Sequence, residues 1–240
     1  MLNNSDTSLT TFNSKGKLLQ VDYAKRAVDF SHTIIALKTK ETVIMAAKIE
    51  QVEKSKFPFF GSKIFIISKT IGIGGTGMYQ DIKMLIKKSR SHAKTFKHNF
   101  GEEISLRQIV RDLACYIQEF TQTGGVRPFG ASLMLMGFEK DGPDLYKIDP
   151  SGSYEKIRAN AIGKKENQIK NFLHKRKTKN LNNIDAFNLI LLALQKNLES
   201  NVSRSNVQIG IINNNCSFQV LSSNALKTFF SNQSKIHKKK

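Results

Sequence analysis

A chain of 240 residues with 40% hydrophobic content can bury one large core, and none of its apolar stretches approaches the ~18 residues of a membrane span. Its polar opening, MLNNSDTSLTTFN, lacks the apolar region of a secretory signal, so the expectation is one intracellular domain with no membrane partner. Lys+Arg 38 against Asp+Glu 19 gives a net charge of +19, which attracts anions in general. The basic residues are scattered, however, over Lys87-Lys88, Lys164-Lys165, Lys175-Arg176-Lys177 and Lys238-Lys239-Lys240 without the interleaved aromatics of a base-stacking face. A solvated surface is therefore expected, and no nucleic-acid partner.

In chain order, Leu18, Val21, Ala24 and Val28 recur at helical spacing and predict a short amphipathic helix over 16–29. Two β-branched runs, Thr33 to Lys38 and Thr42 to Ala47, predict a hairpin, and Lys63 to Ile67 with Thr70 to Gly74 predict a second pair. Met78, Ile82, Leu85 and Ile86 then share one side of a helix reaching His98. Ser105 and Gln108 have capping-box spacing before a second helix containing Leu106, Ile109, Val110, Leu113, Ile117 and Phe120; Cys115 is expected to pack within it. Strands are expected at Ala131 to Phe138, Asp144 to Asp149 and Tyr154 to Ile162, helices at 164–174 and 185–198, strands at Val207 to Ile212 and Ser217 to Leu221, and a short helix at Ala225 to Phe230. This order departs from the strict strand-helix alternation of a doubly wound sheet, and two packed antiparallel sheets with helices outside would bury these runs best.

Gly72-Ile73-Gly74-Gly75-Thr76-Gly77 satisfies GxGxxG, but a Rossmann unit needs a parallel strand and an acidic residue further on. Here a second helix follows, so the stretch is read as a tight strand-to-helix turn. His32, His92, His98, His174 and His237 form no HExxH pattern, and Cys115 and Cys216 lie far apart without a CxxC; no metal or disulfide is expected.

Several separated blocks resemble one family. SLTTFNSKGKLLQVDYA is similar to the N-terminal signature of proteasome alpha subunits, and SKIFIISKTIGIGGTGMYQDIKMLIKKSR resembles their strand pair, Gly-rich turn and first long helix, with Asp81 and Arg90 in place. The RPFG, GP-LY, DPSG and A-AIG elements between Tyr116 and Lys165 are the most specific part, and the resemblance runs from Ser8 to Leu221. It implies an α+β fold, the four-layer αββα sandwich of N-terminal-nucleophile hydrolases with an extra N-terminal helix. Residues 1–15 would be a gate tail, 16–230 the alpha-type domain and 231–240 a basic disordered tail.

Active members of that fold use a free N-terminal threonine whose amine serves as base, supported by Asp and Lys. Here a tail and a helix precede the first strand, and a gapless superposition of the strand pattern puts the nucleophile near His32 or Thr33 and the Asp position at Lys48. The resemblance therefore implies a non-catalytic structural and gating subunit without cofactor; a catalytically active threonine peptidase of the same fold is the alternative. Implied partners are other alpha-type and beta-type subunits in a four-ring barrel, an ATPase regulatory particle or other activators, and unfolded protein substrates, in cytoplasm and nucleus. By position Lys63 matches the lysine that receives an activator's C-terminal carboxylate. Within Ser5-Asp6-Thr7 only Asp6 matches the family's Tyr-Asp-Arg gate motif; Ser14 replaces the usual turn proline, and Tyr23 matches the tyrosine of the open gate. Lys235 to Lys240 could also be read as a nuclear import signal.

Overall fold

The structure, a computed structural model, describes residues 10–49, 61–139, 141–176, 181–198, 206–213 and 217–221. The expected helix at Ala225 to Phe230, the basic C-terminal tail, residues 1–9 with Asp6, and Cys216 lie outside these residues.

The predicted order of elements is observed. Helix α1 (Leu19–Asp29) is followed by strands β1 (Ile34–Lys38), β2 (Val43–Lys48), β3 (Ile64–Ile66) and β4 (Ile71–Gly77). Helices α2 (Tyr79–Phe100) and α3 (Leu106–Gln122) come next, then β5 (Ala131–Glu139), β6 (Gly142–Ile148), β7 (Tyr154–Lys156) and β8 (Ala159–Ile162). The last elements are α4 (Glu166–His174), α5 (Asn183–Leu198), β9 (Val207–Ile212) and β10 (Phe218–Val220). They form two five-stranded antiparallel sheets, ordered β10-β9-β2-β1-β8 and β3-β4-β5-β6-β7.

Alternation along the strands explains why two antiparallel sheets read as unbroken apolar runs. In β1, Ile34 and Ala36 enter the layer between the sheets while Ile35 and Leu37 meet α4 and α5; in β5, Met134 and Met136 point between the sheets while Leu133 and Leu135 meet α2 and α3. Both faces of each sheet are covered, so the polar half of the usual alternation is absent. The result is an αββα sandwich with apolar packing in three layers.

Three expectations are corrected. The glycine-rich stretch is a strand: Gly72 to Gly77 all pair with β5. Its glycines serve packing. A Cβ on Gly72 would collide with the Phe218 ring, one on Gly74 with Met45 Sδ and one on Gly75 with Ile82, so the strand is bare where its neighbours press closest. Only Gly77, at the end of the stretch, needs its positive φ of 120°.

The second correction concerns Tyr154 to Ile162, which is two strands in different sheets rather than one. Ile157 N–H still donates to Leu145 of the second sheet at 2.9 Å, whereas the Arg158 carbonyl already accepts from Lys38 N–H of the first at 2.7 Å. The chain crosses between the sheets there, and a continuous β-compatible sequence carries no mark of the change. Third, Cys115 lies in α3 but on its exposed side. Helix ends also shift by two or three residues: α1 starts at Leu19, after a turn in which Asn13 Oδ1 accepts from the amides of Lys15 (3.0 Å) and Lys17 (2.9 Å). This side-chain-closed turn surrounds Ser14 and supplies without proline the reversal that proline would otherwise favour.

Gly77→Ala should be the costly change in the glycine strand, because its Cβ would meet the backbone carbonyl of Gly130 at an unfavourable φ. A loss of about 1–3 kcal/mol is expected in denaturant titration. Gly124→Ala, with open space around the new methyl, should stay within about 0.5 kcal/mol of the parent. Equal losses would refute the packing account.

Candidate functional site

The end of the sandwich where β1 begins is the place to look for hydrolase chemistry. Thr33 is 1% exposed, and its Oγ1 donates to the Lys164 carbonyl at 2.7 Å. Its carbonyl accepts from Lys48 N–H at 3.2 Å, and its nitrogen is an ordinary peptide nitrogen, since α1 runs through Phe30, Ser31 and His32 directly into it. No free amine is present to act as base, and Lys48 closes β2 where a carboxylate would be required. Phe30, Ser31, His32, Thr33, Lys48, Lys164 and Lys165 line a cavity of about 250 Å³ there. Among the described residues this lining offers lysines but neither the carboxylate nor the free amine that activating the hydroxyl demands.

Lys63 directly precedes β3, and its placement depends on the other sheet. Gln208 of β9 accepts at Oε1 from the amides of Lys63 (2.8 Å) and Ile64 (3.0 Å), and its Nε2 donates to the Ile64 carbonyl at 3.0 Å. The Lys63 carbonyl accepts from Gly75 N–H at 3.0 Å. The lysine is only 9% exposed; its Nζ stands 5.8 Å from the centre of the Tyr79 ring, and Lys83 Nζ lies 4.7 Å from the same ring. An ammonium against an aromatic face is held by cation–π attraction. The sequence identifies Lys63 but gives no sign of Tyr79, Lys83 or the Gln208 clamp, because the link from β3 to β9 spans 145 residues.

Tyr23 lies on α1 opposite the buried face of Val21, Ala24 and Val28. It is 48% exposed, with the Arg26 guanidinium 5.9 Å from its ring centre. Asp6 lies outside the described residues, so the two expected gate residues are not seen together. Among the described residues no group of three His, Cys, Asp or Glu side chains could hold a metal ion, and no helix is long and apolar enough to cross a membrane.

Asp81, in the first turn of α2, explains the RPFG element. Arg127 grips it with two parallel hydrogen bonds of 2.7 and 2.8 Å, and the Gly130 amide adds a third at 2.9 Å. Burial alone pushes this carboxyl up, but the bonds from Arg127 and Gly130 outweigh burial and hold it below its ordinary value of 3.8. The clasp fastens the loop before β5 to the start of α2. Arg90, the helix's other expected family residue, donates through Nε to the Ile66 carbonyl at 2.8 Å and ties α2 to β3.

Comparison with known proteins agrees with this architecture. Residues 28–212 match the family model described as proteasome subunit, and residues 6–27 match the model for the N-terminal signature of alpha-type proteasome subunits. The chain is 39% identical over 222 residues to the proteasome alpha type-2 protein of Oryza sativa subsp. japonica, covering 92% of this chain and 94% of that protein. It is 37% identical to the alpha type-2 protein of Dictyostelium discoideum (94% and 97% covered) and 38% identical to that of Caenorhabditis elegans (86% and 89%).

The Asp81 clasp has a pH signature. A carboxyl held below its unfolded value contributes stability that is complete above the unfolded pKa, about 3.9, and is lost as pH falls through the lower folded value. Asp81→Asn should therefore cost about 1–3 kcal/mol at neutral pH. Its deficit relative to the parent should shrink on acidification below about pH 4. Urea titrations at several pH values would measure both, and a pH-independent deficit would contradict the charge-based account.

Proposed function

The chain belongs to the proteasome subunit family as a non-catalytic alpha-type member, and from that premise we propose that it gates substrate entry and docks activators. Assembly with other proteasome subunits follows from family membership. On the proposed reading its neighbours are alpha-type subunits of the same outer ring and beta-type subunits beneath, in a four-ring barrel of the cytoplasm and nucleus that degrades unfolded, ubiquitin-marked proteins. The observation that carries the structural role is the unbroken passage from α1 into a buried, hydrogen-bonded Thr33, which leaves no free threonine to act.

Docking is assigned to Lys63. The Gln208 clamp fixes the backbone from which this lysine projects, and Tyr79 presents a face to its ammonium. A preorganised ammonium can pair with an activator's terminal carboxylate at low ordering cost. Gating is assigned to residues 1–15 with Asp6 and Tyr23: the tail enters through the Asn13 turn, and α1 carries Tyr23 half exposed beside Arg26.

Two measurements test these assignments. Lys63→Ala, in particles that assemble normally, should weaken binding of an ATPase activator by about 1–3 kcal/mol; equal affinity across a salt series would remove Lys63 from docking. Deleting residues 2–10 should raise basal hydrolysis of small peptides partially, since other tails share the closure, with the difference shrinking once activator is added. Unchanged basal and stimulated rates would leave the chain a ring-building role without gating.

A further inference from the structure

Helix α2 carries six lysines and arginines, Lys83, Lys87, Lys88, Arg90, Lys94 and Lys97, against a single acid, Asp81, which is buried and held by Arg127. Five of the six line up. Lys83, Lys87, Arg90, Lys94 and Lys97 recur at spacings of four, three, four and three, so they form one stripe along the helix, and all five are exposed. The stripe is about 21 Å long at 1.5 Å per residue. In the sequence these cations are separated by Leu85, Ile86, Ser89 and Ala93, which the helix turns inward while it brings the charges together.

Charges on an exposed helix face commonly alternate in sign, because like charges three or four residues apart stand about 5–6 Å from one another and repel. Here the alternation is missing. Among the described residues no carboxylate pairs with Lys83, Lys87, Arg90 or Lys94, and only Lys97, at the far end, has one, Glu103 at 2.6 Å. Arg90 spends its Nε on the Ile66 carbonyl and Lys83 lays its ammonium 4.7 Å from the centre of the Tyr79 ring, contacts that leave both charges uncompensated. Lys97, in the last turn, is favoured by the helix dipole, whereas Lys83 and Lys87 lie in the N-terminal half and gain nothing from it.

An occupant of this stripe must be anionic and extended, and about seven extended residues match its length. No exposed aromatic ring stands between the cations for a base to stack on; the exposed apolar side chain beside them is Met84. A peptide suits that surface better than a nucleic acid. We propose that the stripe is a docking surface for an acidic, Asp- or Glu-rich segment of a partner protein, which lies along α2 with its carboxylates against Lys83, Lys87, Arg90 and Lys94. The surface adjoins the Lys63 site at Tyr79 but requires no terminal carboxylate, so its occupant can be an internal segment.

Fluorescence anisotropy on the full-length chain tests it, with three labelled probes: end-blocked heptaglutamate, end-blocked heptaglutamine and an oligouridylate of the same charge as the first. Heptaglutamate should bind saturably, at least about tenfold tighter than heptaglutamine, and release as salt is added. Lys87→Glu combined with Lys94→Glu should weaken that binding at least about tenfold. Lys40→Glu combined with Lys175→Glu makes the same change in net charge at exposed positions away from α2 and should weaken it less than about twofold. Circular dichroism checks that each variant folds; should the glutamate pair on α2 fail, Lys87→Gln with Lys94→Gln, compared with Lys40→Gln and Lys175→Gln, decides instead. Equal weakening by the two pairs would reduce the effect to net charge and overturn the proposal. It is overturned equally by heptaglutamine matching heptaglutamate, or by oligouridylate binding more tightly and losing that affinity in the α2 variant, which would make the stripe a nucleic-acid surface.

Discussion

The closeness of the two sheets is the constraint on which the molecule depends. Where β4 crosses β2 and β10 there is no room for side chains from both layers, and the sequence resolves the conflict by leaving β4 bare at Gly72 and Gly74 while Phe218 and Met45 fill the gap. Because both faces of each sheet are covered, the strands are apolar on both sides and the three apolar layers follow. The same strand ends at Gly77 against Gly130 and releases the chain into α2, so the Asp81 clasp on Arg127 is positioned by the packing that made the glycines necessary.

A buried lysine does comparable work on β6, two strands from β4 in the second sheet. Burial opposes the charge of Lys147, yet Asp149 and then Glu166 more than compensate and hold its pKa above the ordinary value. Contacts of 3.1 Å to Asp149 and 3.0 Å to Glu166 join β6, the DPSG turn and the start of α4. The turn itself closes through Gly152 N–H to the Asp149 carbonyl at 2.9 Å, with Gly152 packed against α3 at Gln118 and Ala114. The family's short elements are thus joints between layers: RPFG holds α2 to the loop before β5, and DPSG holds β6 to α3 and α4.

The end of the sandwich at Thr33 shows how a hydrolase architecture is retained without its chemistry. A nucleophile needs a terminal amine and a neighbouring carboxylate; the chain supplies a helix in place of the first and Lys48 in place of the second. Thr33 keeps a hydroxyl, but its hydrogen bond to Lys164 spends it on joining two segments.

Residue periodicity alone determined the order of elements, the two-sheet class and the helical faces, because each of these is written locally: Ser105 caps α3 by accepting from the Gln108 amide, as its spacing requires. Resemblance in RPFG, DPSG and the N-terminal signature determined the family and the loss of catalysis, since a lysine at position 48 is legible without coordinates. Tertiary structure alone decided the rest. That Gly72 to Gly77 is a strand depends on Phe218, Met45 and Ile82 arriving from elsewhere, and that Tyr154 to Ile162 splits depends on two sheets competing for one extended segment. The partners of Lys63, Asp81 and Thr33 lie 145, 46 and 131 residues away along the chain. A pattern read from near neighbours carries no information about contacts that exist only once the layers have packed.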